Sequence, residues 1–301
     1  MVSAADAAIS HSLSRGAPFS IKAPRTEPGL VAAVTLHGIP QMAMDWRKLT
    51  TPHGVRLKVS AVFTHKAPQV SFKSPVAGGS PCELADLLVV VDDFNRRRAA
   101  LVQAKMAARK GTVQISGTKN KAQLDLFTRW PVFDFEETIY GLKGLDLHRG
   151  GRGLTSGMYG IIDRHWSNPP RHPSWKQMVP ASVPGSVGAA PSLGRFIVRM
   201  IFGTAGRDAT PGSAARDWVQ IVDALMSVTY TKYFHDRPSL GPPAFPRGNT
   251  TAAFFLQGQA KSIYTFTDGG LAVDTEPEII RLEREPEIGA LSLLHIIKSP
   301  A

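Results

Sequence analysis

Residues 82–106, which read CELADLLVVVDDFNRRRAALVQAKM, are the stretch that decides the fold. Two short apolar runs, 84–91 and 99–106, are separated by a polar break that contains three consecutive arginines. Runs of this length that are partly β-branched and bounded by turn-forming residues are typical of β-strands joined by a short turn. We therefore predict two adjacent antiparallel strands at this point of the chain.

Three polar residues interrupt these apolar runs. Asp86 lies in the first run, and Gln103 and Lys105 lie in the second. Gln103 and Lys105 are two residues apart, so they project from the same face of an extended strand. Burying such groups without partners costs free energy, and a core strand normally carries Val or Leu instead. Either the hairpin is half-exposed with a polar outer face, or these residues form a functional site.

The order of Asp86, a hairpin turn and Gln103-Ala104-Lys105 resembles the signature of the PD-(D/E)XK nuclease superfamily, which has the restriction-endonuclease-like fold. Gln103 stands where the common motif has Glu or Asp, and this Q-x-K form is similar to that of Mrr-like and phage-defence nucleases. The resemblance implies metal-dependent hydrolysis of DNA phosphodiester bonds in bacterial defence. It also implies that Asp86 and Gln103 bind Mg²⁺ or Mn²⁺ and that Lys105 activates the attacking water.

Two further acids are candidates to assist the site, Glu27 by the same resemblance and Glu83 by its position shortly before Asp86. An early helix often supplies an acid in this superfamily, and Thr26-Glu27-Pro28 is a helix-start signal. Glu27 is therefore a candidate metal ligand, and the alternative is an acid that only complements the helix dipole. Glu83 would point away from Asp86 in a regular strand, so it assists the metal only if the strand begins after it. Otherwise it is an exposed acid at the start of the strand.

A formal net charge of +11 favours polyanionic partners, with nucleic acid first and an anionic membrane second. DNA is the partner that the superfamily resemblance implies. The candidate nucleic-acid-binding residues are Arg96, Arg97, Arg98, Lys110, Lys119 and Gln123. Gln123 belongs to a short predicted helix that Pro131 ends, and a helix in this position packs beside the catalytic lysine in the superfamily. The alternative for Gln123 is a solvated position on that helix.

Several function classes are excluded or disfavoured by composition. The chain has 301 residues, enough for a substantial core, and its single cysteine excludes an intramolecular disulfide framework and a cysteine-cluster zinc site. The glycine-rich segment 141–160 matches neither phosphate-binding loop pattern, so no nucleotide-binding loop is predicted. No apolar run approaches the length of a membrane span, and the first residues do not resemble a signal peptide. We therefore expect a cytoplasmic protein without membrane association.

The predicted fold is α/β (α+β), with a central mixed β-sheet flanked by helices in a restriction-endonuclease-like core. The predicted divisions are a flexible N-terminus (1–24), the nuclease-like core (25–165), a Pro/Gly-rich linker or loop (166–192) and a C-terminal α+β extension of unknown role (193–301). Individual expectations include a strand over 54–63, strand or helix over 193–203, a helix over 213–234 and a hairpin over 262–273.

Two other functions remain open at this level. One is a catalytically inactive module of the same fold that binds nucleic acid or a protein partner, in which Gln103 marks the loss of the metal. The other is an unrelated structural subunit of a larger assembly. The sequence does not choose between a homo-oligomer and a complex with another protein.

Overall fold

The structure is a computed structural model that describes residues 1–15, 26–64, 67–75, 79, 81–108, 112–151, 155–163, 173–186, 188–235, 251–257, 260–267, 270–272 and 290–300. Within these residues the α-helices are α1 (Val2–Arg15), α2 (Glu27–Ala33), α3 (Ile39–Thr50), α4 (Thr118–Arg129), α5 (Leu193–Ile201) and α6 (Arg216–His235). A π-helical turn, Val34–Gly38, joins α2 to α3. Single 3₁₀ turns lie at Thr51–His53 and Pro180–Ser182.

The strands of the described residues build one large sheet and two small ones. Their bounds are β1 (Val55–Thr64), β2 (Gln69–Phe72), β3 (Cys82–Glu83), β4 (Leu87–Asp93), β5 (Arg96–Met106), β6 (Thr112–Val113), β7 (Phe133–Phe135), β8 (Gly157–Asp163), β9 (Ser174–Met178), β10 (Gly185–Ser186), β11 (Arg207–Asp208), β12 (Thr251–Gln257), β13 (Ala260–Thr267), β14 (Gly270–Ala272) and β15 (Ser292–Pro300). The large sheet has the order β14-β13-β12-β1-β15-β4-β5-β8-β9, and β11 pairs with β5. It is a mixed sheet, since β4 is antiparallel to β5 and parallel to β15.

Helices cover both faces of the large sheet. On one face, α1, α3 and α5 pack on the strands through a cluster that includes Trp46 and Ile197. On the other face, α4 and α6 pack through a cluster that includes Phe127 and Trp218. Successive residues of β4 alternate between the two clusters, as the period of two in a strand requires. The expected central mixed sheet flanked by helices is therefore confirmed, as is the predicted hairpin of β4 and β5.

The last described strand lies in the middle of the sheet. β15 is antiparallel to β1, with Val59 opposite Ile296, and parallel to β4, with Leu88 beside Leu293. Strands buried on both faces are near-continuously apolar, and within 291–297 only Ser292 and His295 interrupt the apolar residues. The predicted boundary that sets 193–301 apart as an extension is therefore not a boundary of this sheet, because the sheet of the core is completed from the C-terminal region.

Two other predicted divisions need correction. Residues 2–15 of the expected flexible N-terminus form α1, whose Ala5, Ile9 and Leu13 are buried against the sheet. Its small side chains hide the helical pattern, because alanine marks a buried face less clearly than leucine does. The predicted linker 166–192 contains β9, which pairs with β8 and buries Trp175. The proline-free pentapeptide of β9 supplies the alternating side chains that an edge strand needs.

Smaller expectations are settled by the same elements. The strand predicted over 54–63 is β1, and the segment 193–203, which was compatible with strand or helix, forms α5. β13 and β14 are antiparallel, as the hairpin predicted over 262–273 requires, and the turn between them lies outside the described residues. None of the described helices is both long enough and apolar enough to cross a lipid bilayer.

Gly160 in β8 allows the close packing of the neighbouring strands. A Cβ atom at this position would lie 2.2 Å from Trp175 Nε1 and 2.7 Å from Val102 Cγ1, and both side chains are buried. We expect Gly160→Ala to lower the free energy of unfolding by about 1–3 kcal/mol, because the surrounding core must shift. Chemical denaturation measures the loss. Gly188→Ala is the matched control, since its Cβ meets only Ser186 Oγ at 3.8 Å. Equal midpoints for the two variants would contradict this account.

Candidate functional site

Asp86 occupies a bend immediately before β4 and is held against β5. Its backbone N–H donates to the carbonyl of Val102 at 3.1 Å, and its Oδ2 accepts from the backbone N–H of Ala104 at 2.7 Å. The side-chain amide of Gln103 donates to the same Oδ2. Most of the carboxyl group is enclosed by protein, and this burial, together with the nearby negative charge of Glu27, raises the pKa of Asp86 to about 7. Asp86 is therefore a carboxyl group whose ionisation is disfavoured by its surroundings.

Glu27 begins α2 and reaches the end of β5. Its Oε1 lies 3.2 Å from Lys105 Nζ, and its Oε2 accepts from the backbone N–H of Met106 at 3.2 Å. Burial raises the pKa of Glu27 even though the positive charge of Lys105 opposes this shift. The early helix and the second hairpin strand are thus joined at the residues that the motif analysis selected.

Gln123 on α4 hydrogen-bonds to both Glu83 and Gln103. Its Nε2 donates to the backbone carbonyl of Glu83 at 3.0 Å and to Gln103 Oε1 at 2.5 Å. A backbone carbonyl only accepts, so the amide group of Gln123 turns its N–H side toward Glu83 and Gln103. Gln103 consequently points its oxygen at Gln123 and its N–H at Asp86. Gln123 is 4% exposed, so in this arrangement it positions Gln103 and does not present a surface for nucleic acid.

Glu83 and Asp86 do not lie on one continuous strand. It lies on β3, which belongs to a separate three-stranded sheet with β2 and β7, and its side chain is exposed. The strand that follows Asp86 begins only at Leu87. The sequence analysis required the strand near Asp86 to begin after Glu83 if Glu83 is to assist the metal. The start of β4 at Leu87 meets this requirement. The negative charge of Glu83 also raises the pKa values of Glu27 and Asp86.

The donor set fits a hard divalent cation that is held by few protein ligands. Asp86 and Glu27 place two largely enclosed carboxyl groups near one ammonium group, Lys105, so an additional positive charge would offset their repulsion. Mg²⁺ is commonly bound by one or two carboxylates together with water and substrate phosphate. Among the described residues, no group of three or more His, Cys, Asp or Glu side chains could hold a metal ion. Gln103 turns its amide oxygen toward Gln123, so it is not oriented as a ligand in this arrangement.

The predicted nucleic-acid-binding arginines lie at the other end of β5. Arg97 Nε donates to Asp92 at 2.8 Å, and its Nη1 lies 2.6 Å from Asp223. Asp92 also contacts the buried His295 at 2.7 Å. Arg97 therefore ties β4, β5, β15 and α6 together and is not available as a simple phosphate contact. Although they are close to Gln103 and Lys105 along the chain, these arginines are separated from them by the length of the extended strand β5.

The other predicted contacts have different surroundings. Arg98 is half-buried and donates to the carbonyl of Gly206 at 3.1 Å, whereas Arg96 is exposed. Lys119 is exposed on α4, one helical turn before Gln123 and therefore on the same side of the helix. Lys110 lies outside the described residues. Of the predicted basic residues described here, Lys119 is thus the one on the helix beside Asp86 and Lys105.

Tyr159 is a polar residue near the site that the sequence analysis did not select. It lies on β8 directly beside Gln103, is fully buried, and its hydroxyl has no hydrogen-bond partner among the described residues. Its ring packs on Phe127 of α4 with the centroids 5.6 Å apart. Burial raises the pKa of Tyr159, and the charges of Cys82 and Asp86 add to the effect. In the sequence, a tyrosine in an apolar strand is indistinguishable from a core residue. Its position beside Gln103 is visible only in the structure.

The chain matches no protein-family model, no curated protein and no solved structure. What the site does is therefore inferred from the residues that form it: Glu27 from α2, Asp86 from the bend before β4, and Gln103 and Lys105 from β5.

Proposed function

We propose that the protein is a metal-dependent nuclease that hydrolyses DNA phosphodiester bonds, with a restriction-endonuclease-like core built around α2, β4, β5 and α4. One observation carries this proposal. Lys105 Nζ lies 3.2 Å from Glu27, which comes from a separate helix, and the charges of both residues act on Asp86. A motif match that arises by chance has no reason to meet the acid of a separate helix. The net charge of +11 supports a polyanionic substrate.

Each residue has a distinct task in this proposal. Asp86 and Glu27 would hold Mg²⁺ or Mn²⁺, and the bound ion would supply Lewis-acid polarisation of a phosphoryl oxygen and a water of lowered pKa. Lys105 is held by Glu27, so its ammonium group is positioned to donate to the attacking water or to a phosphate oxygen on which charge develops. Gln103 orients Asp86, and Gln123 fixes the amide of Gln103. The hydroxyl of Tyr159 is a further donor close to this set.

Conversion of supercoiled plasmid to nicked or linear DNA tests the proposal. We expect wild type to cleave with Mg²⁺ or Mn²⁺ and to be inactive with EDTA, and we expect Lys105→Met to lower the rate by about 10²–10³-fold, the usual cost of losing one donor to developing charge. Lys121→Met is the matched control, because Lys121 is exposed on α4. If wild type and Lys105→Met cleave equally, the activity belongs to a contaminant.

A specific observation favours a second candidate, an inactive module of the same fold that binds nucleic acid or a protein partner. Gln103 replaces a carboxylate of the common motif and turns its N–H toward Asp86, which satisfies that acid without a cation. Thermal unfolding with and without Mg²⁺ or Mn²⁺ separates the two candidates. A metal-dependent rise of the melting temperature supports the enzyme. No rise, together with salt-sensitive DNA binding and no cleavage, supports the inactive module.

A further inference from the structure

The turn between β4 and β5 holds an aromatic side chain in solvent. Phe94 is 69% exposed and has a φ of 51°, in the left-handed region. Two-residue hairpin turns with positive φ favour Asn, Asp and Gly, because a bulky side chain is strained there. Folding gives no reason for Phe94, since the ring packs against little and the backbone conformation is unfavourable. The exposed ring of Phe94 therefore has a role other than stabilising the fold, such as binding a partner.

A second exposed aromatic lies at the same end of the sheet. Phe202 follows α5 and is 64% exposed. The chain after it returns to β5, where Arg98 Nη1 donates to the carbonyl of Gly206 at 3.1 Å and Asp208 pairs with Arg98. A Cβ at Gly203 would lie 3.6 Å from Arg98 Nε, so the backbone next to Phe202 approaches the start of β5. Phe202 and the turn of Phe94 therefore both lie at the end of the sheet where β5 begins.

The charge of this surface is positive. Arg96 and Arg199 are exposed, and Arg98 is half-buried beside them. Asp93 is paired with Lys298 at 3.0 Å, and the exposed Asp208, on which the charges of Arg96 and Arg98 act, offsets only part of the charge of the three arginines.

We propose that the Phe–Arg surface, formed by Phe94, Arg96, Arg98, Arg199 and Phe202, binds single-stranded nucleic acid. Aromatic rings stack on unpaired bases while arginines contact the phosphates, and this combination is how single strands are bound without sequence preference. Paired bases do not offer their faces to such rings. The Phe–Arg surface is distinct from the candidate active site, because the seven residue steps from Arg96 to Gln103 along β5 span about 23 Å. It requires no metal and no cleavage.

Fluorescence anisotropy with a labelled oligothymidine of about 20 nucleotides, in EDTA, tests this proposal. We expect Phe94→Asn to raise the Kd by about 5- to 100-fold, because one base loses its stacking partner. Asn tolerates positive φ, so this variant should fold at least as stably as wild type, which separates lost binding from lost folding. Phe202→Ser should act in the same direction. Val132→Ser is the control, since Val132 is 55% exposed elsewhere, and its Kd should not change.

The salt dependence of the Kd separates stacking from charge. Arg96→Gln and Arg199→Gln should each reduce the slope of log Kd against log salt by about 0.7 if each arginine contacts one phosphate. Phe94→Asn should leave the slope unchanged. Wild-type affinity in Phe94→Asn, or equal binding of duplex and single strand, would overturn the proposal. Altered self-association of Phe94→Asn in light scattering with unchanged binding would instead identify a second copy of the chain as the occupant. None of these outcomes depends on whether plasmid is cleaved.

Discussion

Asp86→Asn is expected to abolish metal-dependent cleavage while leaving the protein as stable as wild type or more stable. The activity falls by at least about 10²–10³-fold because the neutral amide no longer holds the cation. The stability holds because an Asn oxygen can still accept from the backbone N–H of Ala104, and because the carboxyl group is disfavoured where it lies. Plasmid cleavage and urea unfolding, measured on the same preparations, check both halves.

The pH dependence of stability provides a second measurement on the same variant. The pKa of Asp86 is raised from 3.8 to about 7, so between these values the folded state holds a proton that the unfolded state has released. The contribution of this carboxyl group to stability is therefore greatest at acid pH and falls as the pH rises toward 7. Glu27 acts in the same direction, because its pKa is also raised. Relative to wild type, Asp86→Asn should gain stability between about pH 4 and about pH 8.

Glu136→Gln is the matched control for this experiment, because Glu136 is exposed and lies outside the site. It should cleave plasmid like wild type and should follow the wild-type dependence of stability on pH. If Asp86→Asn instead loses stability at every pH, Asp86 is an acid that the fold requires. If Asp86→Asn retains wild-type cleavage, the proposed metal site is wrong.

Arg207→Met is expected to lower the free energy of unfolding by about 3 kcal/mol, because it removes hydrogen bonds from a buried cation and leaves their acceptors unsatisfied. Arg207 is 6% exposed and lies over the ring of Trp218. Its Nη1 donates to the carbonyl of Leu147 at 2.7 Å and to Ser156 Oγ at 2.8 Å, and its Nη2 donates to the carbonyl of Arg149 at 3.2 Å. The guanidinium group thus fastens the glycine-rich segment that precedes β8.

Two further variants sharpen the measurement of Arg207. Arg207→Lys should recover little of the loss, because an ammonium group cannot reproduce the fork that reaches several acceptors at once. Arg195→Met is the surface control, since Arg195 is exposed on α5, and it should change stability by no more than about 0.5 kcal/mol. Denaturation midpoints for Arg207→Met and Arg195→Met that coincide would contradict a structural role for Arg207.

The hairpin and the candidate site were accessible from the sequence because their signals are local. The two apolar runs, the turn between them and the spacing of Gln103 and Lys105 all lie within residues 82–106. Glu27 was found through a helix-start signal together with the resemblance, and the structure brings it to Lys105. Gln123 was also selected from the sequence. Its role in orienting Gln103 was not predicted, because no pattern in the sequence shows that its amide reaches Gln103.

The sequence by itself determined that residues 82–106 form two strands joined by a turn. Strand and helix periodicity can be recognised within a few neighbouring residues. Only the tertiary structure decided that β15 lies between β1 and β4. It also decided that the three arginines 96–98 lie at the end of β5 far from Asp86. Strand order depends on which apolar faces cover one another, and that choice is made between segments about 200 residues apart in the chain, as for β4 and β15. Packing between elements that are distant along the chain brings Glu27 to Lys105 and Gln123 to Gln103.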